Sequence, residues 1–62
     1  MAQQPEADLS SLLERLKAAQ RELLLTAAKG ATLPSDGTLR KLSDLEGAIA
    51  ATEALIQEEH DR

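Results

Sequence analysis

The chain has a single imidazole, His60, in the acidic run Glu58-Glu59-His60-Asp61 near its end. An imidazole can act as a general base or a metal ligand, and a Ser or Thr hydroxyl becomes a nucleophile when a base activates it in a dry pocket. Two helices offer no pocket of that kind, and His60 with Glu59 supplies too few ligands for a specific metal site. We therefore predict no enzyme, metal or cofactor, and interpret 60–62 as a frayed, solvated terminus.

The charged residues give a formal net charge of −4. Nucleic-acid binding needs a clustered Lys/Arg face for phosphates and often uses aromatic side chains that stack on bases. The cations of the first half point in scattered directions on an ideal helix, and the chain has no Phe, Trp or Tyr. We therefore expect no nucleic-acid partner. The acidic end either keeps a small protein in solution or docks to a basic partner surface.

The elements that position these residues must come from a short chain. At 62 residues without Cys, the chain is one domain near the lower size limit for folding without a disulfide, metal or partner. Its large apolar side chains are twelve Leu and two Ile, each worth roughly 1.5–3 kcal/mol when fully buried. Two helices bury them only partly, so association with another molecule is expected.

Helical periodicity occurs in 9–28 and 39–56, on either side of a breaker segment at 29–37. Ala, Leu, Glu, Lys, Arg and Gln dominate, which favours helix over strand. We predict an all-α fold: an antiparallel two-helix hairpin of coiled-coil type, completed by self-association or by a helical partner.

We place a disordered N-terminus at residues 1–5 and a single helical hairpin at 6–59. Helix 1 covers about 6–29, the turn about 30–35 and helix 2 about 36–59. Carboxylates in the first turn favour the start of helix 1. A glycine in the left-handed conformation closes many helices, which predicts that role for the glycine after Lys29.

Capping residues predict the start of helix 2. Pro34 prevents the connection from continuing as helix. Ser35 or Asp36 can cap helix 2, and Thr38 is a second candidate.

The apolar residues of helix 2 spread over a wider arc than one packing partner needs. We expect one part of this arc to pack on helix 1 and the rest on a second molecule. The alternative is that the wide Leu/Ala stripe is only a loosely specified core of the hairpin and contacts no second molecule. The apolar residues of helix 1 fall within one narrower arc, which we interpret as a buried stripe, with Gln20 inside it, and Leu25 lies on the far side. The stripe consists of Leu9, Leu12, Leu13, Leu16, Ala19, Leu23, Leu24 and Ala27. The candidate interface residues are Leu25, Leu42, Leu45, Ile49, Leu55 and Ile56.

Three pieces in order resemble a known family: Arg15-Leu16-Lys17-Ala18-Ala19, Lys29-Gly30 and Leu45-Glu46-Gly47-Ala48-Ile49. The chain is similar, over roughly 9–56, to the small needle co-chaperones of type III secretion systems, the YscE/PscE type. Relatives tend to carry an aromatic residue early in helix 2, where this chain has Gly37-Thr38-Leu39, and the spacing from Gly30 to Leu45 is about one residue shorter. These departures leave the hairpin intact and affect the partner contacts.

The resemblance implies a non-enzymatic co-chaperone in the bacterial cytoplasm. Such a protein binds a tetratricopeptide-repeat partner, and the pair keeps the needle subunit monomeric before export. The alternative is a homodimeric four-helix bundle of the Rop-like kind, acting as a regulator or assembly scaffold. The longest apolar stretch, at 23–28, is too short to span a membrane, and the N-terminus lacks a secretory signal pattern. We expect no membrane insertion.

Overall fold

The computed structural model describes residues 5–61, and over that range the chain forms two α-helices, α1 (Pro5–Ala28) and α2 (Asp36–His60). The two helices pack against each other as a hairpin, with Glu6 near the start of α1 beside His60 at the end of α2. The molecule is a rod of 49 × 16 × 15 Å. The predicted all-α hairpin is thus confirmed.

The helix bounds differ from the predicted ones by one residue at three of the four helix ends, and the start of α2 is as predicted. Pro5 is the first residue of α1, not the end of a disordered segment, and α2 continues through His60 with Asp61 as its C-cap. Proline suits a first turn because its missing N–H has no intrahelical partner there. The remaining predictions of disorder, for 1–4 and for Arg62, fall outside the described residues.

Ser35 caps α2, as one of the predicted alternatives. Its backbone is extended, and its Oγ accepts a hydrogen bond from the Thr38 amide at 3.2 Å. The Ser35 hydroxyl also lies 3.1 Å from the Thr38 hydroxyl. One otherwise unsatisfied amide of the first turn is thereby paired, and the helix start is fixed after Pro34.

The end of α1 differs from the expectation for Gly30. No glycine among the described residues has a positive φ, so Gly30 does not adopt the left-handed conformation. The amides of Lys29 and Gly30 instead bond to the carbonyls of Thr26 and Ala27, three residues back, at 3.2 and 3.1 Å. The last turn of α1 ends by tightening, which satisfies these groups without a left-handed residue.

One side of each helix forms the contact surface between α1 and α2, here called the seam. Its side chains are buried or half-buried, and they recur along each helix at alternating intervals of four and three residues. This 3.5-residue repeat is that of coiled coils. The seam consists of Leu9, Leu13, Leu16, Gln20, Leu23 and Ala27 of α1 and Thr38, Leu42, Leu45, Ile49, Thr52, Ile56 and Glu59 of α2.

The seam is thin. Ile49, 7% exposed, is the one apolar side chain of residues 5–61 that counts as buried. Thr52 is also buried, and its hydroxyl donates to the Ala48 carbonyl at 2.7 Å, so its polar atom is satisfied within α2. Most of the apolar surface of both helices is only half covered.

The geometry at Gly30 predicts that Gly30→Ala is tolerated. An added Cβ would lie 3.5 Å from the Ala27 carbonyl oxygen, an ordinary contact. Because alanine restricts the unfolded chain, the free energy of unfolding should rise by about 0.4–1 kcal/mol, measured by urea denaturation. A clear loss of stability would mean that Gly30 does need the left-handed conformation.

Candidate protein-interaction surfaces

The structure places the six predicted interface residues in two environments. Leu42, Leu45, Ile49 and Ile56 lie in the seam, where they pack against α1 of the same chain. Leu25 and Leu55 are exposed, at 46% and 42%. The first four therefore hold the hairpin together, and a partner reaches only what the seam leaves uncovered. Their contact with a second molecule stays a prediction.

Beside the seam, an antiparallel pair of helices has two flanks, one on each side. Polar contacts between the helices run along one of them, here called the polar flank. Lys17 Nζ lies 3.5 Å from Glu53 Oε2, and His60 Nδ1 lies 3.3 Å from Glu6 Oε2. These side chains are more than half exposed, so each pair contributes at most about 1 kcal/mol.

Gln20 adds a contact from inside the seam to the polar flank. Its half-buried side chain donates through Nε2 to Glu46 Oε1 at 2.6 Å. The hydrogen bond is exposed, so its contribution is modest, and it forms only in the alignment of the helices that brings Gln20 and Glu46 together. The Gln20–Glu46 hydrogen bond thus couples the register of α1 on α2 to the polar flank.

The opposite flank, here called the groove flank, is apolar along its centre. By the seam repeat it carries Leu12 and Ala19 of α1 and Ala48 and Leu55 of α2, with Leu12 36% exposed. Because alanines stand at its middle, the surface is concave there. An open groove of about 520 Å³ is lined by Ala19, Leu23, Lys41, Asp44, Leu45 and Ala48.

A second exposed apolar surface lies where the hairpin turns. We define the turn-end patch as Leu24, Leu25, Leu33 and Leu39, which are 51%, 46%, 85% and 44% exposed. By the seam repeat Leu24 and Leu39 lie on the same side of the seam, and Leu25 lies on the face of α1 away from it. Exposed leucines scattered singly are ordinary on a protein surface, but neighbouring ones such as Leu24 and Leu39 mark interaction sites.

Sequence periodicity did not identify most of the turn-end patch. Leu24 falls within the apolar arc of helix 1 on an ideal wheel, which predicts a buried position for it. Leu33 belongs to the breaker segment and has no helical period to place it. A 3.5-residue repeat was the available signal, since it leaves Leu24 and Leu39 beside the seam.

Both surfaces consist mainly of leucine and alanine side chains. Within 5–61, no three His, Cys, Asp or Glu side chains are grouped so that they could share a metal ion. Neither α1 nor α2 has an apolar stretch of the length that a membrane crossing requires. The groove combines leucine and alanine side chains with one lysine and one aspartate at its rim. An apolar strip with a charged rim is the usual composition of a protein interface.

No known protein family matches this chain, and no curated protein or solved structure shows significant similarity to it.

The two environments predict opposite effects of the same substitution. Ile49→Asp should unfold the hairpin, because it removes roughly 1.5–3 kcal/mol of apolar burial and places a charge in the seam. Leu25→Asp, at an exposed position of α1, should keep the helical content. Far-ultraviolet circular dichroism of the two purified variants compares them directly. Full helicity in Ile49→Asp would contradict the assignment of Ile49 to the seam.

Proposed function

We propose that this chain is a non-enzymatic co-chaperone that binds a tetratricopeptide-repeat protein and, with it, helps keep a type III secretion needle subunit monomeric before export from a bacterial cytoplasm. The observation that carries the proposal is the turn-end patch, a group of exposed leucines on a hairpin with one buried apolar side chain. The class of partner comes from the resemblance to the YscE/PscE type of co-chaperone.

The turn-end patch supports binding to a helical protein for a physical reason. Its four leucines leave between 44% and 85% of their surface in water, and removing that surface from water contributes roughly 25 cal/mol per Å². Helical repeats stack into concave surfaces that receive an extended element. A rod 16 Å across, with four exposed leucines near its turn, has the shape for such a surface.

Removal of apolar surface from water would also keep the needle subunit monomeric. A protein that polymerises through exposed amphipathic helices stays monomeric while those helices are covered. The hairpin contributes to that cover by stabilising the repeat protein, which holds the subunit. No reacting group is required of this chain.

A second candidate function is that of a homodimeric four-helix bundle, a regulator or assembly scaffold of the Rop-like kind. The groove flank favours it, because an apolar strip with alanines at its centre allows two hairpins to approach closely. The two candidates use different surfaces of the rod, so variants on each surface separate them.

Co-expression with a tetratricopeptide-repeat chaperone of a type III secretion system tests the first candidate. The double variant Leu24→Asp and Leu39→Asp should lose the 1:1 complex in size-exclusion chromatography with light scattering, since two charges would enter a desolvated interface. Both positions are exposed, so circular dichroism should show unchanged helicity.

Leu55→Asp is the matched control. Leu55 is exposed to a similar extent, 42%, but lies on the groove flank away from the turn. It should leave the complex with the repeat protein intact. A folded wild-type chain that forms no complex, or a complex that survives the double variant and is lost with Leu55→Asp, would refute the proposal.

A further inference from the structure

A row of alternating charges runs along the outer edge of the groove flank on α1. Asp8, Arg15, Glu22 and Lys29 are each seven residues apart, and all are exposed. The seam repeat places the first three on one line of α1, and Lys29, the residue directly after the helix end at Ala28, continues that line. Their signs alternate as minus, plus, minus, plus. We call this line the charge row.

No member of the charge row forms a salt bridge within residues 5–61. Residues seven apart on a helix are separated by about 10.5 Å, too far for an ion pair. Within residues 5–61 the salt bridges involve Lys17, Glu53, Glu6 and His60, and none involves a member of the charge row. The four charges are therefore free to meet charges of another molecule.

The order of the signs makes the charge row complementary to itself. If a second α1 is laid antiparallel beside the first, Asp8 meets Lys29 of the copy and Arg15 meets Glu22 of the copy, each twice. The midpoints of both pairs fall at the same place, just before Ala19. One two-fold axis therefore satisfies all four pairs together.

That position coincides with the groove. Ala19 lines it from α1 and Ala48 from α2, so the helices carry their small side chains where the axis crosses. Lys41 and Glu58 lie on opposite sides of Ala48 along the same flank of α2, and both are exposed. The same axis sets Lys41 of each copy opposite Leu55 of the other, with Glu58 of that copy about one turn further along α2.

We propose that a second copy of this chain binds on the groove flank, about a two-fold axis that crosses the hairpin at Ala19 and Ala48, with α1 antiparallel to α1 and α2 antiparallel to α2. This inference deepens the homodimer candidate and is independent of the co-chaperone proposal. Every neighbouring pair of helices in the resulting bundle is antiparallel, which is the favourable arrangement of helix dipoles.

The other symmetric arrangement is disfavoured by the same charges. An axis along the rod would set α1 of one copy on α2 of the other, level with each other. Glu22 would then come close to Asp44 of the copy, and Asp8 close to Glu58, since each pair lies within one residue of the same distance from Ala19 and Ala48. Like charges opposite each other select against that dimer.

The area fits an interface of ordinary size. A stable interface covers about 800 Å² on each partner. One flank of a rod 49 Å long and 16 Å wide offers an area of that order. The leucines at its end, Leu12 and Leu55, supply apolar surface beyond the alanines at the centre.

Charge reversal tests this arrangement by sedimentation equilibrium. Arg15→Glu and Glu22→Arg should each raise the dimer dissociation constant by at least about tenfold, because each turns two attractive pairs into repulsive ones. An equimolar mixture of the two variants should form a heterodimer, and the double variant should dimerise like the wild type. Arg21→Glu, the same charge change off the groove flank, should have no effect.

Each alternative result has a defined meaning. If the wild type dimerises but the two variants and their mixture behave like it, the dimer exists and uses another face, so this inference fails while the homodimer candidate stands. If the wild type stays monomeric at millimolar concentration, both fail. Circular dichroism on every variant confirms that the hairpin is folded, since all the altered side chains are exposed.

Discussion

The packing of α1 on α2 along a 3.5-residue repeat is the interaction on which the rest of the structure depends. Each helix contributes one narrow line of side chains to the seam, and only Ile49 among the apolar ones of residues 5–61 becomes buried. A two-helix rod has no third element to cover the other sides of its leucines. The surfaces available for binding are therefore a direct consequence of the thin seam.

The two flanks of the seam differ in polarity, and this difference makes one side of the rod more suitable than the other for binding a second copy. The polar flank is occupied by contacts between the helices, including the short Gln20–Glu46 hydrogen bond. The groove flank has leucine and alanine along its centre, and its charged side chains form no salt bridge within residues 5–61. The apolar centre of the groove flank costs little to desolvate, so a second copy of the chain is expected there and not over the Lys17–Glu53 and Gln20–Glu46 contacts.

Much of the fold follows from the sequence because the signals are local. Two leucine-rich helical periods around a segment with Gly30, Pro34 and Gly37 specify a hairpin, and Ser35 before Asp36 marks the start of α2. The conformation of Gly30 did not follow, because a helix can also end with hydrogen bonds three residues back. Local propensity does not distinguish these endings.

The candidate site was harder to predict because it depends on which side of each leucine the other helix covers. A wheel with 100° steps gives arcs of roughly the right residues, but over more than 20 residues it drifts from the 3.5-residue repeat that the packed helices follow. Ile49, for which the sequence predicts contact with a partner, is buried in the seam against α1 of its own chain, and its contact with a second molecule stays a prediction. Leu24 was assigned to the buried stripe and is 51% exposed. The charge row becomes visible only when residues are sorted by the packed repeat.

The central claim is that the hairpin is stabilised by a second molecule, and thermal unfolding of the isolated chain as a function of its concentration tests it most directly. If association supplies part of the stability, the midpoint of the helical transition must rise steadily over about a hundredfold increase in protein concentration. A midpoint that stays constant over that range, in a chain that is monomeric and fully helical throughout, would contradict the account.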